Sequence, residues 1–523
     1  MRATAPRRST TPTRTSSRTE RLAATLVAGL LGSLALGLVA AGPAAAPAAT
    51  PSHAAATPRT PTAVSGIAVT QTTASLRERL SPRPGLRFRR GGPGSTTVIR
   101  IATRPLQRYV GVGGAMTDSS AELIENELAP RARRRLMSML FSPAPRGIGL
   151  RLVRVPIAAS DFTATGVPYT YDDLPPGQTD PHLRHFTIAH DRAYVLPALR
   201  AAVARGRDLY VEAVPWSAPA WMKANDRLDN LGDSGALLRR DYRPFARYLT
   251  RFLRAYSRAG IHVDAIAPAN EPVARTSYPG MYLPSPLEAR FVRRDLRPAL
   301  RRAHLRPAVF GWDLSWGRLQ RSTPLVRSSR AGTLSGIAWH CYFGNPRDMS
   351  ALHAVSPRAT QIVDECASGS GDPWTTSELE IASFRNWASA VALWNLALDP
   401  GGGPVQSPNR GCEGCTGVAT VDPATHAFTV SRDYYELGQV SRFVEPGARR
   451  LRSTHFVSYL DTRDRVPSVS AGLDDVVFRN PGGGIVLVAY DNSRRPIRFA
   501  VQWRGRYARY TIPAGATATL RWR

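Results

Sequence analysis

Between residues 109 and 394 the chain alternates eight short apolar runs with longer stretches of helical period. The runs lie near 109–114, 150–156, 209–214, 264–269, 307–312, 336–342, 361–365 and 389–394. Strands separated by helix-length segments pair in parallel, each returning through a crossover, which predicts an α/β fold with a buried parallel sheet. Eight such units close most economically into a (β/α)₈ (TIM) barrel. The stretch YRPFARYLTRFLRAYSRAG at 242–260 shows the helical period plainly. Phe245, Tyr248, Leu249, Phe252, Leu253 and Tyr256 recur on one face, and Gly260 supplies a stop. On either side of this region the pattern shortens to strand and turn, as in TTVIRIATR at 96–104 and GGGIVLVAYDNS near the end. The expected organisation is a barrel at 108–440 with an attached antiparallel β-sandwich built from both chain ends, 66–107 and 441–523.

The start of the chain reads as a targeting signal. Arg2, Arg7, Arg8, Arg14, Arg18 and Arg21 stand against one acid, Glu20, and precede the apolar stretch LAATLVAGLLGSLALGLVAAG at 22–42. Small-residue cleavage options follow at Ala44-Ala45-Ala46 and Ala54-Ala55-Ala56. Residues 1–42 are therefore expected to be a signal peptide. A retained signal anchor is the alternative, because the stretch is long enough to span a bilayer. The Ala/Pro/Thr-rich segment 43–65 reads as a linker.

An exported chain with four cysteines suggests disulfides. Cys412 and Cys415 form a C-x-x-C in a Gly-rich loop, for which a small-loop disulfide is favoured over half a zinc site. A structural zinc would need further ligands, and no second C-x-x-C exists. Cys341 and Cys366 are either a second pair or two buried thiols. The net charge of +30 comes almost entirely from Arg, with Lys223 the sole lysine. The arginines are scattered, not gathered in a stripe with interleaved aromatics, which fits a high-GC bacterial composition and argues against a specific nucleic-acid partner. Electrostatic adhesion to an anionic cell surface is compatible with this charge, and no stable partner is expected.

Two carboxylates end short β-type runs. Glu271 closes DAIAPANE at 264–271 and Glu365 closes QIVDE at 361–365. Barrel enzymes place their chemistry at the C-terminal ends of strands. Two carboxylates there, from different strands, suit glycoside hydrolysis, with one as a protonated acid and the other ionised. The GVGG run at 111–114 is followed by neither a phosphate-loop Lys nor a dinucleotide pattern. No His/Asp cluster has metal-ligand spacing, so neither a cofactor nor a metal is expected.

The blocks GVGGAMTDSSAELI (111–124), RVPIAASDF (154–162), YTYDD (169–173), PWSAPAWMK (215–223), ANEP (269–272), WHCY (339–342), DEC (364–366) and WNLALDPGGGP (394–404) occur in that order. Together they resemble glycoside hydrolase family 30, the family of the lysosomal glucosylceramidase and of bacterial and fungal β-glucanases. The resemblance implies a barrel with a sandwich and a retaining β-glycosidase mechanism. It implies Glu271 as general acid/base and Glu365 as nucleophile, with no metal. Asn270 would bond the sugar 2-hydroxyl, and Asp161, Trp216 and Trp394 would line the sugar pocket. Tyr278 would stand on the leaving-group side, His340 and Tyr342 beside the nucleophile, and Arg154 would steady its charge. For each tryptophan the alternative is core packing, and for Arg154 and His340 a structural role.

Asp364 departs from the family pattern, where a small residue is usual. Strand alternation predicts that it points away from the sugar, and Asp364 as nucleophile is the rejected alternative. Asp118 is expected to be the N-cap of the first barrel helix. The loop 401–417 with its C-x-x-C differs from the animal enzymes and looks like the bacterial branch. The implied substrate is a carbohydrate or glycolipid, a β-glucoside such as a glucosylceramide-like lipid or β-1,6- or β-1,3-glucan. β-Xylan, β-galactan and β-fucosides, or a non-catalytic carbohydrate-binding surface protein, are the alternatives.

Overall fold

A computed structural model describes residues 66–206, 208–317, 324–328, 332–369, 374–406, 411–412, 414–454 and 472–523. The expected signal segment and linker lie outside the described residues, as do 407–410 and 413 of the C-x-x-C loop. Three strands come first, β1 (Ile67–Thr72), β2 (Ser81–Leu86) and β3 (Thr97–Arg108). Eight parallel strands follow: β4 (Gly111–Ala115), β5 (Leu152–Pro156), β6 (Tyr210–Val214), β7 (Ala265–Ile266), β8 (Ala308–Ser315), β9 (Gly336–His340), β10 (Thr360–Glu365) and β11 (Ala388–Leu393). They close into a barrel in chain order, with β11 pairing β4. Each of the eight runs read from the sequence supplies one strand.

The close of the barrel depends on a glycine. A Cβ on Gly113 would run into the carbonyl of Leu152 on the neighbouring strand, so the GVGG run serves strand approach. Among the helices, Tyr242–Arg258 buries all six of the periodic residues expected of it, and Gly260 follows with φ +84°. β7 is shorter than the apolar run that contains it. Pro268 has no N–H to give to a ladder, and the chain then turns, with Asn270 N donating to Pro215 O at 2.8 Å.

Strands β12 (Ala397–Leu398), β13 (Ala419–Asp422) and β14 (Ala427–Val430) make a small separate sheet. The last six are β15 (Arg449–Ser453), β16 (Leu473–Arg479), β17 (Ile485–Asp491), β18 (Ile497–Trp503), β19 (Arg506–Ile512) and β20 (Thr517–Trp522). They join β1–β3 in one sheet system ordered β19-β18-β3-β15-β16-β17-β20-β1-β2, so both ends of the described chain build it. All its pairings are antiparallel except β3 with β18. The long β3 pairs β18 through Thr97–Arg100 and then β15 through Ile101–Arg108, linking the two halves. Its core is a separate apolar cluster that includes Ile99, Leu487, Phe499, Leu520 and Trp522.

The barrel interior is layered. Leu152, Ala265, Phe310, Ala338, Ile362, Ala390 and Ala392 form an apolar plug from β5 and β7–β11. Two residues further along their strands, on the same inward face, stand Arg154, His340 and Asp364, all fully buried. The plug thus supports a charged layer at the strands' C-terminal ends. Among the described residues, no helix is long and apolar enough to cross a membrane.

Candidate active site

Arg154 is the hub of the charged layer. Its guanidinium has an acid on each nitrogen. Nε lies 3.1 Å from Asp364 Oδ2, Nη2 lies 2.9 Å from Asp313 Oδ1, and Nη1 donates to Glu365 Oε2. Nη2 also donates to Asn270 Oδ1 at 2.8 Å. This corrects the expectation for Asp364, whose side chain enters the barrel. Counted from Ile362 in the plug, alternation turns Asp364 inward, and a register shift between Val363 and Glu365 brings Glu365 inward as well. Burial first, then Asp313, pushes the Asp364 carboxyl up to about 7, against the pull of Arg154 and His340.

His340 joins both candidate catalytic carboxylates. Its Nδ1 lies 3.3 Å from Glu271 Oε1 and 3.5 Å from Glu365 Oε1, and its Nε2 lies 2.8 Å from Asp313 Oδ1. Burial disfavours the charged imidazole, but Glu365, Asp313, Glu271 and Asp364 outweigh it and hold His340 well above the usual histidine range. As imidazolium, both ring nitrogens donate. Tyr342, two residues on, donates its hydroxyl to Glu365 Oε1 at 2.8 Å. Burial, reinforced by Glu365, raises this phenol well above its ordinary range, so it stays a neutral donor.

Glu271 is held in a left-handed backbone conformation, φ 42°, by its N–H, which donates to Asp313 O at 2.9 Å. A non-glycine residue in that region is uncommon and concentrates where the surrounding structure fixes a functional group. The carboxylate faces a cavity of about 760 Å³ lined by Val273, Ala274, Tyr282, Trp312, Leu314 and Phe343 among others.

Trp216 and Trp394 are stacked on each other, centroids 5.1 Å apart, and each is 2% exposed. The Arg154 guanidinium lies 4.8 Å from the Trp216 ring. The two rings therefore form a packed wall beside the charged layer, with Phe162 edge-on to Trp394 and Tyr278 against the same cluster. Burial, then Glu271, raises the Tyr278 phenol well above its ordinary range. Asp161, 5% exposed, is raised well above the carboxylate range by burial and then Glu365. Gly411 packs against its carboxyl so closely that a Cβ there would collide, which brings the C-x-x-C loop to the site. All ten residues singled out in the sequence thus converge on one end of the barrel.

The Asp118 expectation needs correction. Thr117 caps the helix, accepting from Ser120 N at 3.1 Å. The Asp118 carboxylate instead accepts from Ala164 N at 2.8 Å and from the hydroxyls of Tyr169 and Tyr194, and it meets His190 Nε2 at 2.8 Å. It therefore ties down the loop that carries Asp161.

Asp313 and Glu212 were not singled out in the sequence. Each is an acid inside an apolar strand run, AVFGWDLS and YVEAV, and that placement is the one signal available. Trp312 and Asp313 have φ of 79° and 43°, and the β8 register shifts between Gly311 and Leu314, which turns Asp313 toward Arg154 and His340. Asp313, His340 and Asp364 place ligand-type atoms within 4.8 Å of one another. Arg154 contacts both acids of that group and supplies its positive charge. Both cysteine pairs are disulfide-bonded, Cys341 with Cys366 and Cys412 with Cys415.

Two family models match the chain in tandem. The Glycosyl hydrolase family 30 TIM-barrel domain covers residues 109–444 and the Glycosyl hydrolase family 30 beta sandwich domain covers 447–520. The chain is 31% identical over 440 residues to an endo-1,6-beta-D-glucanase of Neurospora crassa, covering 81% of this chain and 90% of that one. It is 29% identical over 432 residues to the lysosomal acid glucosylceramidase of Mus musculus, covering 76% and 78%. Among solved structures, SrfJ from Salmonella typhimurium superposes with a TM-score of 0.78 at 25% identity, over 88% of this chain and 99% of that chain. Barrel, sandwich and sequence agree: the chain belongs to glycoside hydrolase family 30.

Proposed function

We propose that the protein is a secreted retaining β-glucosidic hydrolase acting on β-1,6-glucan, with Glu365 as nucleophile and Glu271 as acid/base. In the first step Glu365 attacks the anomeric carbon while Glu271 protonates the departing oxygen. In the second, Glu271 takes a proton from water, which displaces Glu365 with net retention. Asn270 receives the sugar 2-hydroxyl, Asp161 accepts from other sugar hydroxyls, and Trp216 and Trp394 wall the pocket. Arg154, by its ion pair, and Tyr342, by its hydrogen bond, hold the Glu365 carboxylate aimed. The observation that carries the reading is the shared contact of Glu271 and Glu365 with His340 Nδ1, which keeps the two carboxylates together at one strand-end site.

β-1,6-Glucan is chosen because chains 31% identical to this one are endo-1,6-beta-D-glucanases. A second reading, a glucosylceramide-like lipid, is favoured by the apolar lining beside Glu271 and by Phe343, which is 60% exposed. The test is hydrolysis of linear β-1,6-glucan, β-1,3-glucan and glucosylceramide in detergent micelles, with the product anomer read by proton NMR. Release of β-anomeric glucose oligomers from β-1,6-glucan supports the proposal, and turnover of the lipid alone selects the second reading. An α-anomeric first product excludes the mechanism. Secretion is supported by the disulfides and by the Arg-rich, then apolar start of the sequence. The charge of +30 supports adhesion to anionic surfaces as a property additional to hydrolysis.

A further inference from the structure

Cys341 and Cys366 each stand one residue beyond a charged group of the site, His340 on β9 and Glu365 on β10. They are disulfide-bonded, 5.4 Å apart at Cα, and both are fully buried. Because side chains alternate along a strand, His340 and Glu365 face the lumen while the two sulfurs face outward. There they join the cluster that packs barrel against helices, with Val363, Met349 and Leu379.

The ladder beside this bond is irregular. β9 and β10 pair in register from Gly336↔Thr360 to Trp339↔Val363, then slip, so that Glu365 stands opposite His340. A slip of this kind interrupts the hydrogen bonds that would otherwise fix the height of one strand against the next. The covalent link lies one residue past the slip. The same Cys366 accepts Trp394 N through its carbonyl at 2.8 Å, so it also fastens the end of β11.

We infer that the Cys341–Cys366 disulfide is a positioning bond for Glu365. It fixes the two strand ends so that the carboxylate meets Arg154, His340 and Tyr342 together. The inference rests on the reading of Glu365 as nucleophile. In this geometry a displacement on the order of 1 Å is enough to cost up to about a hundredfold in rate.

The full chain is compared with its Cys341→Ala/Cys366→Ala variant on 2,4-dinitrophenyl β-glucoside, whose departure needs no acid. The positioning role predicts that kcat falls about tenfold or more while KM stays within about twofold. A folded variant, judged by near-UV circular dichroism, with unchanged kcat overturns it. Should the variant not fold, folded wild-type protein is treated with a phosphine in mild urea. The phosphine takes up a water oxygen as the disulfide becomes two thiols, and alkylation with mass analysis measures the opened fraction. Activity that falls in step with opening of Cys341–Cys366, and not with opening of Cys412–Cys415, supports the inference, and activity that stays full with Cys341–Cys366 open, or that follows Cys412–Cys415 alone, overturns it. Free thiols at Cys341 and Cys366 in the unreduced, unfolded chain also overturn it. A Glu365→Gln variant is assayed in parallel. If that variant keeps wild-type turnover, the nucleophile reading fails on its own. If it is inactive while the opened protein is not, only the positioning role fails.

Discussion

Asp364 and Glu365, consecutive on one strand, both ion-pair with Arg154, Asp364 through Nε and Glu365 through Nη1. Two acids therefore lie at the site where strand alternation alone admits one. Their surroundings differ. Glu365 also accepts from Tyr342 and stands near His340 Nδ1, whereas Asp364 is fully buried and pushed up to about 7, first by burial.

The difference separates their roles by experiment. Glu365→Gln is expected to lower kcat by about four orders of magnitude or more, as loss of a covalent nucleophile does. Asp364→Asn keeps the side-chain shape and is expected to stay within about tenfold of wild type. Steady-state kinetics on an aryl β-glucoside decide the matter, and the reverse ranking would make Asp364 the nucleophile.

Glu271 is predicted to matter in proportion to the leaving group's need for a proton. Glu271→Gln should lose about 10² to 10⁴ in kcat/KM on unactivated glucosides while largely sparing glycosylation by 2,4-dinitrophenyl β-glucoside. A plot of rate against leaving-group pKa checks this. An equal loss across the series contradicts an acid role.

Buried acids predict how stability responds to pH. Burial first pushes Asp191 and Asp475 up to about 6, Asp364 and Glu436 to about 7, and Glu288 to about 8. In the unfolded chain such carboxyls titrate near 4. Between those values the folded chain holds more protons than the unfolded chain, so stability is lost as pH rises through the folded range. His190 and His340, raised by carboxylates that outweigh burial, act in the same direction. Lys223, lowered by burial to about 7, opposes them only above that pH. The Tm at pH 5 should exceed that at pH 8 by about 3 °C or more, measured by scanning calorimetry.

The sole lysine is predicted to be structural. Lys223 Nζ lies within hydrogen-bond distance of four oxygens, Ser217 Oγ at 3.0 Å and the carbonyls of Leu228, Asp229 and Gly280 at 2.7, 2.7 and 2.6 Å, which its three N–H bonds share. It crosslinks the loops after β6 and β7, on which the site depends. Lys223→Met takes the ammonium from the Gly280 carbonyl, while Leu228 O keeps Gly280 N and Asp229 O keeps Asn225 Nδ2, and should cost about 1–3 kcal/mol in denaturant unfolding. Wild-type stability in the variant would contradict this.

The barrel was legible because its signal is repetitive, eight apolar runs at the spacing of βα units. Glu271 and Glu365 were legible because each ends such a run inside a specific block. Asp313 and Glu212 were not, since an acid within a short strand carries no local mark of burial. Only closure of the barrel sets Asp313 against Arg154, from β5, and His340, from β9. The direction of Asp364 is not legible from Glu365, which lies beyond the register shift, whereas Ile362 in the plug carries its phase. Asp118 read as a helix cap because Thr117 and Asp118 are both capping residue types, and its tie to the Asp161 loop joins residues 46 positions apart.

The proposed double displacement requires a glucosyl-enzyme on Glu365. Incubation with 2-deoxy-2-fluoro-β-glucosyl fluoride, followed by peptic digestion and mass sequencing, tests it directly. One fluoroglucosyl adduct per chain is expected, on Glu365. An adduct on Asp364, or turnover of the reagent with inversion and no adduct, would contradict it.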